Sequence, residues 1–232
     1  MNQELINRIS EKFLSKGIKV GTATQSYLRL MVNLNTAGSV NSIAFPVLTT
    51  AATARATEQR LGITDMFTIT NWSIFLVKAG LGGGGVVATD AEIAASPLYT
   101  WPNPQVFTGS GEAANLMNVY NGFLSVTVDR DRITDNYDAY RFYRVATAQR
   151  LIAQAAGTAG TGESLHFQAD GWEGPSYGFS TLDPEITLNG AGQNDLVLSL
   201  PTAVSLAGTL STNFAALICR GIKWQNSSKL NA

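Results

Sequence analysis

His166 is the chain's only histidine, and histidine is the side chain whose ordinary pKa best suits proton transfer near neutral pH, so a hydrolytic triad would have to be built on it. It stands in Ser-Leu-His-Phe-Gln-Ala-Asp (164–170), where strand alternation gives Leu165 and Phe167 one face and His166 the other. No Gly-x-Ser-x-Gly elbow accompanies it, and it reads as a surface or interface histidine. A glycosidase needs only two carboxyl groups across a cleft. Asp170, Glu173, Asp183 and Glu185 cluster around Trp172, Tyr177 and Phe179, rings that could also stack on a sugar. The glycines of Asp-Gly-Trp-Glu-Gly-Pro-Ser-Tyr-Gly make this an ordered loop with aromatic anchors, so packing or an intersubunit contact comes before carbohydrate recognition, and catalysis last. Asp129, Asp131 and Asp135 resemble half a calcium loop without its sixth-position glycine or closing glutamate. The alternation Asp129-Arg130-Asp131-Arg132 reads instead as a salt-bridged hairpin edge. The Gly-rich stretches 80–85 and 157–162 read as turns, and the first is no phosphate loop, because no Lys-Ser/Thr pair follows its glycines. One cysteine, Cys219, allows no intrachain disulfide, and a single histidine leaves no Cys/His zinc set. The expectation is a protein that is not an enzyme and carries no metal or cofactor.

The composition agrees with that emphasis on contact. Of 232 residues 45% are hydrophobic and only 14% charged, against about 25% charged in an average soluble domain. Thr, Ser, Asn, Gln and Ala must therefore cover much of the surface, as in β-rich assemblies whose surface is consumed by neighbours. Sixteen basic and 17 acidic residues give a formal net charge of −1, which supplies no field for a polyanion and argues against nucleic-acid binding. The N-terminus lacks the order of a secretory signal, and no apolar run approaches about 18 residues. Synthesis and assembly in a cytoplasm are expected.

The elements follow from periodicity. Residues 2–16 predict an amphipathic helix, with Leu5, Ile6, Ile9, Phe13 and Leu14 at three-and-four spacing and Gly17 as its stop. The helix either packs on the domain or forms an arm reaching a neighbour or an anionic lipid surface. As an arm, it would present Ile6, Ile9, Lys12, Phe13 and Lys16 to that surface, and removing residues 1–16 would spare the fold. Strands are predicted near 26–35, 40–48, 66–79, 98–107, 122–130, 164–169, 184–189, 195–200 and 212–225. Helical inserts are predicted at 51–61, 111–118 and 135–155, with 140–145 equally readable as strand. Pro102 and Pro104 make 98–107 an edge strand or the exit from one. Tyr99 and Trp101 just before them, with Trp172 and Tyr177, have the profile of interface anchors. Trp72, Trp224 and Cys219 read as buried.

Several stretches carry a resemblance. Ile43-Ala44-Phe45-Pro46, Asp65 to Thr70, Tyr99-Thr100-Trp101-Pro102-Asn103, Tyr120 to Val126, Asp138 to Tyr143 and Pro184 to Gly190, followed by Leu196 to Pro201, resemble the double jelly-roll major capsid proteins of small icosahedral, tailless, lipid-containing phages of Flavobacterium and its relatives. The likeness spans about residues 40–225. It implies an all-β chain with short helical insertions and two eight-stranded barrels. The organisation would be an N-terminal helix or arm at 1–17, a first barrel at 18–121 and a second at 122–232. It also implies a major capsid protein forming pseudo-hexameric trimers in a virion shell assembled in the host cytoplasm. The partners would be further copies of itself, penton or spike proteins and an internal membrane, with no sequence-specific nucleic acid. The strands read directly number about nine, which suits a single jelly roll with insertions as well. Two other functions stay open: a carbohydrate- or receptor-binding β-sandwich, and a small glycosidase using the acids of residues 170–185.

Overall fold

The computed structural model describes residues 3–35, 38–49, 55–79, 88–145, 149–153, 165–169, 178–206 and 212–227, with backbone pairing alone at 149–153 and 165–169. Helix α1 (Gln3–Ser15) precedes β1 (Ala23–Asn33), β2 (Val40–Phe45) and β3 (Met66–Ala79); α2 (Asp90–Ala95), β4 (Leu98–Tyr99) and α3 (Glu112–Tyr120) follow. The remainder comprises β5 (Phe123–Val128), β6 (Asp131–Asp138), a 3-10 turn (Ala139–Phe142), β7 (Gln149–Ala153), β8 (Leu165–Ala169), β9 (Ser180–Asn189), β10 (Asn194–Val204) and β11 (Thr212–Trp224). The fold is all-β in two main antiparallel sheets with short helices. The first runs β1–β11–β3, and the far edge of β3 is shared by β9 and β4. The second runs β2–β10–β5–β6, while β7 and β8 pair as a separate ribbon.

The two sheets differ in what covers them, and the sequence shows why. Along β10, Leu196, Leu198 and Leu200 are buried while Asp195 and Ser199 are exposed, the period of two that belongs to a sheet with one wet face. Strands β3 and β11 are buried almost continuously, because both their faces are covered. Their inner faces (Phe67, Ile69, Trp72, Ile74, Leu76, Ala215, Leu217, Cys219) meet Ile43, Leu124, Val126, Leu196 and Leu198 of the second sheet. On the outer face, α1 lays Ile6, Ile9 and Phe13 over Met66, Ile222 and Trp224. Helix α2 sets Ile93 against a second patch of Phe75, Val77, Phe214 and Ala216.

The caps of these helices are legible in their residues. Gly17, at φ +69°, closes α1: Ile18 N–H donates to the Phe13 carbonyl and Gly17 N–H to that of Leu14, a Schellman ending. Thr89 and Glu92 form a reciprocal capping box on α2. The edge of β1 is blunted: Arg29 exchanges backbone hydrogen bonds with Gln59, and Glu58 accepts from Met31 N–H. Glu58 is held in turn by Arg60 at 2.8 Å, both side chains being buried.

Several expectations change. Strand 66–79 and the helix at the N-terminus stand where periodicity put them. The strand expected at 98–107 shortens to two residues, since Pro102 and Pro104 cannot donate to a ladder. The described part of the expected helix 51–61 is turn and isolated bridges, Arg29–Gln59 and Leu48–Leu61, because it serves the edge of β1. The described part of the expected helix 135–155 is instead the end of β6, the 3-10 turn and β7: Asp138 caps Tyr140 N–H, and Asn136 is left-handed at φ +53°. The expected barrel boundary falls on α3, and strands from both sides of it share both sheets.

Candidate functional site

Among the described residues no element covers the outward face of the second sheet. Because Ile43, Leu124, Val126, Leu196 and Leu198 point inward, their alternate neighbours Ser42, Ala44, Phe123, Ser125, Thr127, Val197 and Ser199 point out. Register places these side by side: Ser199 lies between Ser42 and Phe123, and Val197 between Ala44 and Ser125. Ile133 is 51% exposed on the neighbouring strand and Phe123 41%. Asp195 is the one charged residue that β2, β5 and β10 turn outward. Across β2, β10 and β5 the outward side chains are otherwise uncharged and mostly small, while β6 at the edge exposes Asp131, Arg132 and Asp135.

One end of this face continues into aromatic residues. Tyr140 is 52% exposed and stacks on Tyr143 at 5.3 Å. Tyr143 meets the buried ring of Tyr120 edge-on at 5.6 Å, and burial, with Tyr143 as a second cause, holds the Tyr120 hydroxyl well above its ordinary pKa. Thr100 ties this segment to β4 by donating to the Arg144 carbonyl. Of the expected interface anchors, Tyr99 is half-buried with its ring edge-on to Phe107 at 5.5 Å, and Trp101 is half-buried beside it. Trp172 and Tyr177 lie outside the described residues.

The remaining candidates are placed as follows. In α1, Ile6, Ile9 and Phe13 face the first sheet, and Phe13 packs edge-on to Trp224 at 5.1 Å; Lys12 and Lys16 are exposed with Leu14. The helix's apolar stripe is thus spent on the domain. His166 falls in β8. Asp170 and Glu173 lie outside the described residues; Glu185 pairs with Arg8, and Asp183 is exposed. Phe179 packs on Phe75 and lies under the Arg220 guanidinium at 3.8 Å. Asp129 accepts from Gln193 N–H, and Arg132 pairs with Asp135 at 3.2 Å. Among the described residues no group of three or more His, Cys, Asp or Glu could hold a metal ion, and no helix is long and apolar enough to cross a membrane. Cys219 is fully buried, which pushes its thiol far above the usual range and makes it inert.

Sequence reasoning missed a buried polar cluster at the end of the first sheet. Lys78 of β3 donates to Glu112 Oε2 at 2.8 Å and to the Val106 carbonyl at 2.8 Å. Asn213 Nδ2 of β11 donates to Glu112 Oε1 at 2.8 Å, and Gly109 N–H donates to Oε2. The side chains of Lys78 and Glu112 are 6% and 0% exposed. The available signal was a lysine inside the apolar strand Phe-Leu-Val-Lys-Ala (75–79). No known protein family, curated protein or solved structure matches the chain.

Proposed function

We propose that this chain is a shell-forming structural protein, the major capsid protein of a tailless icosahedral phage, which works by docking on further copies of itself in the virion. The proposed fold is a single jelly roll with insertions. The orders β1–β11–β3–β9 and β2–β10–β5–β6 in two facing sheets support it, since interleaved Greek keys of this kind build the sandwiches of capsid and lectin domains. Fold alone does not choose between those uses. The observation that carries the capsid reading is the outward face of β2, β10 and β5, where Asp195 is the one charged residue and depletion of charge is the mark of an interface core. The resemblance of residues 40–225 to phage capsid proteins points the same way.

One sandwich per chain supplies one barrel to an assembly, so a sixfold outline takes six barrels from six chains, not two from each of three. The mass of the purified particle by light scattering, with electron micrographs, tests the proposal. Oligomers or closed shells are expected. Ser125→Arg combined with Ser199→Arg, which places two charges on this face, is expected to leave a folded monomer. A chain that stays solitary at high concentration, in fresh lysate as after purification, overturns the reading. Glycan binding by such a monomer would support the sugar-binding alternative in its place.

A further inference from the structure

The cluster of Lys78, Glu112 and Asn213 holds the parts of a reaction that a static clamp does not need. Lys78 and Asn213 stand directly opposite each other on the adjacent strands β3 and β11. The two oxygens of one carboxylate hold the lysine amine and the asparagine amide nitrogen, each at 2.8 Å. The site is shielded from bulk solvent: Asn213 is 0% exposed, and the Phe107 ring centroid lies 5.7 Å from Lys78 Nζ. Asn213 Oδ1 is buried with no hydrogen-bond donor among the described residues. A cluster selected only to satisfy its polar atoms would have paired that oxygen too.

We propose that this is an autocatalytic cross-linking site, in which Lys78 and Asn213 join through an amide bond and Glu112 is the catalytic residue. The nucleophile must be a neutral amine, and Glu112 is placed to take the proton from Nζ. The Nζ lone pair then attacks Cγ of Asn213, forming the new C–N bond as the carbonyl π pair moves onto Oδ1. A second proton passes from Nζ through Glu112 to Nδ2, which Oε1 already contacts. The carbonyl re-forms, the Cγ–Nδ2 bond breaks, and ammonia leaves, carrying the first proton away as ammonium. One amide replaces another, so no oxidant, reductant or cofactor is needed. The two strands belong to distant parts of the chain, and the bond would close the loop between residues 78 and 213.

This inference goes beyond the shell reading and does not depend on it. Intact-mass spectrometry of the purified full-length protein tests it, with tryptic peptide mapping. The wild-type chain is expected to be lighter than its sequence by one ammonia and to yield a branched peptide joining residues 78 and 213. It should also migrate faster than an unlinked chain in denaturing gels. Glu112→Gln keeps the shape and removes the base, and should slow linking by about 10²–10⁴-fold; Lys78→Arg should abolish it. A wild-type chain at full sequence mass, before and after prolonged incubation, overturns the proposal whether or not the variants fold. Linking at the wild-type rate in Glu112→Gln overturns the role of the glutamate.

Discussion

Asp65 shows how much one side chain can bind together. Its carboxylate pairs with Lys223 at 2.9 Å and accepts from Asn226 N–H and the Thr64 hydroxyl, while its carbonyl accepts from Gly190 N–H. Burial pushes its pKa up, but the bonds from Lys223, Asn226 and Thr64 outweigh that and hold it below the ordinary aspartate value. A depressed folded pKa stabilises above the unfolded value of about 3.9 and is lost as pH falls through the folded one. Acid unfolding below about pH 4 should therefore steepen on account of Asp65, and Asp65→Asn should flatten that limb. Asp65→Ala should cost about 1–3 kcal/mol by urea unfolding, since it orphans Asn226 N–H. Glu112→Ala, which strands a buried lysine, should cost about 3–5 kcal/mol. Neither role was legible from sequence. Lys78, Glu112 and Asn213 share no local motif, and only the pairing of β3 with β11 and the arrival of α3 bring them together.

At the scale of elements, legibility follows what covers each one. Helix α1 was readable because its three-and-four spacing is what a single buried stripe demands, and β10 because one dry face imposes alternation. Strand β6 left no such trace, being a charged outer strand whose pattern of exposure is nearly unbroken. Whether α1 was arm or packed helix could not be read, since the same stripe suits either; its partners Ile222 and Trp224 lie at the other end of the chain. Phe13→Ala should therefore destabilise the fold by about 3–5 kcal/mol, seen in thermal unfolding. Deletion of residues 1–16 should expose Trp224 and lower stability further. The β5–β6 hairpin turns through Asp129 and Arg130 at φ +50° and +75°, positions that favour glycine or asparagine. Asp129 is anchored by Gln193, but Arg130 is exposed, so Arg130→Gly should raise stability by about 1 kcal/mol in the same assay.

On the whole-molecule scale, the short alternating runs between turn residues predicted the all-β class, while the strand spacing could not choose one sandwich or two. The helical inserts misread at 51–61 and 135–155 hid the edge segment and β6, which complete the arrangement. The first sheet spends both faces on its own chain; the second keeps one face bare among the described residues. Charges on the bare face should thus alter association without altering the urea midpoint, while changes to the outer face of the first sheet should do the reverse. The placement of β11 between β1 and β3 has a further consequence during synthesis. Residues 212–224 leave the ribosome after the other described strands, yet they form the middle of a sheet, so β1 and β3 wait unjoined until β11 is made. A message cut short upstream of that point yields a polypeptide lacking its keystone, which leaves the edges of β1 and β3 open to proteases.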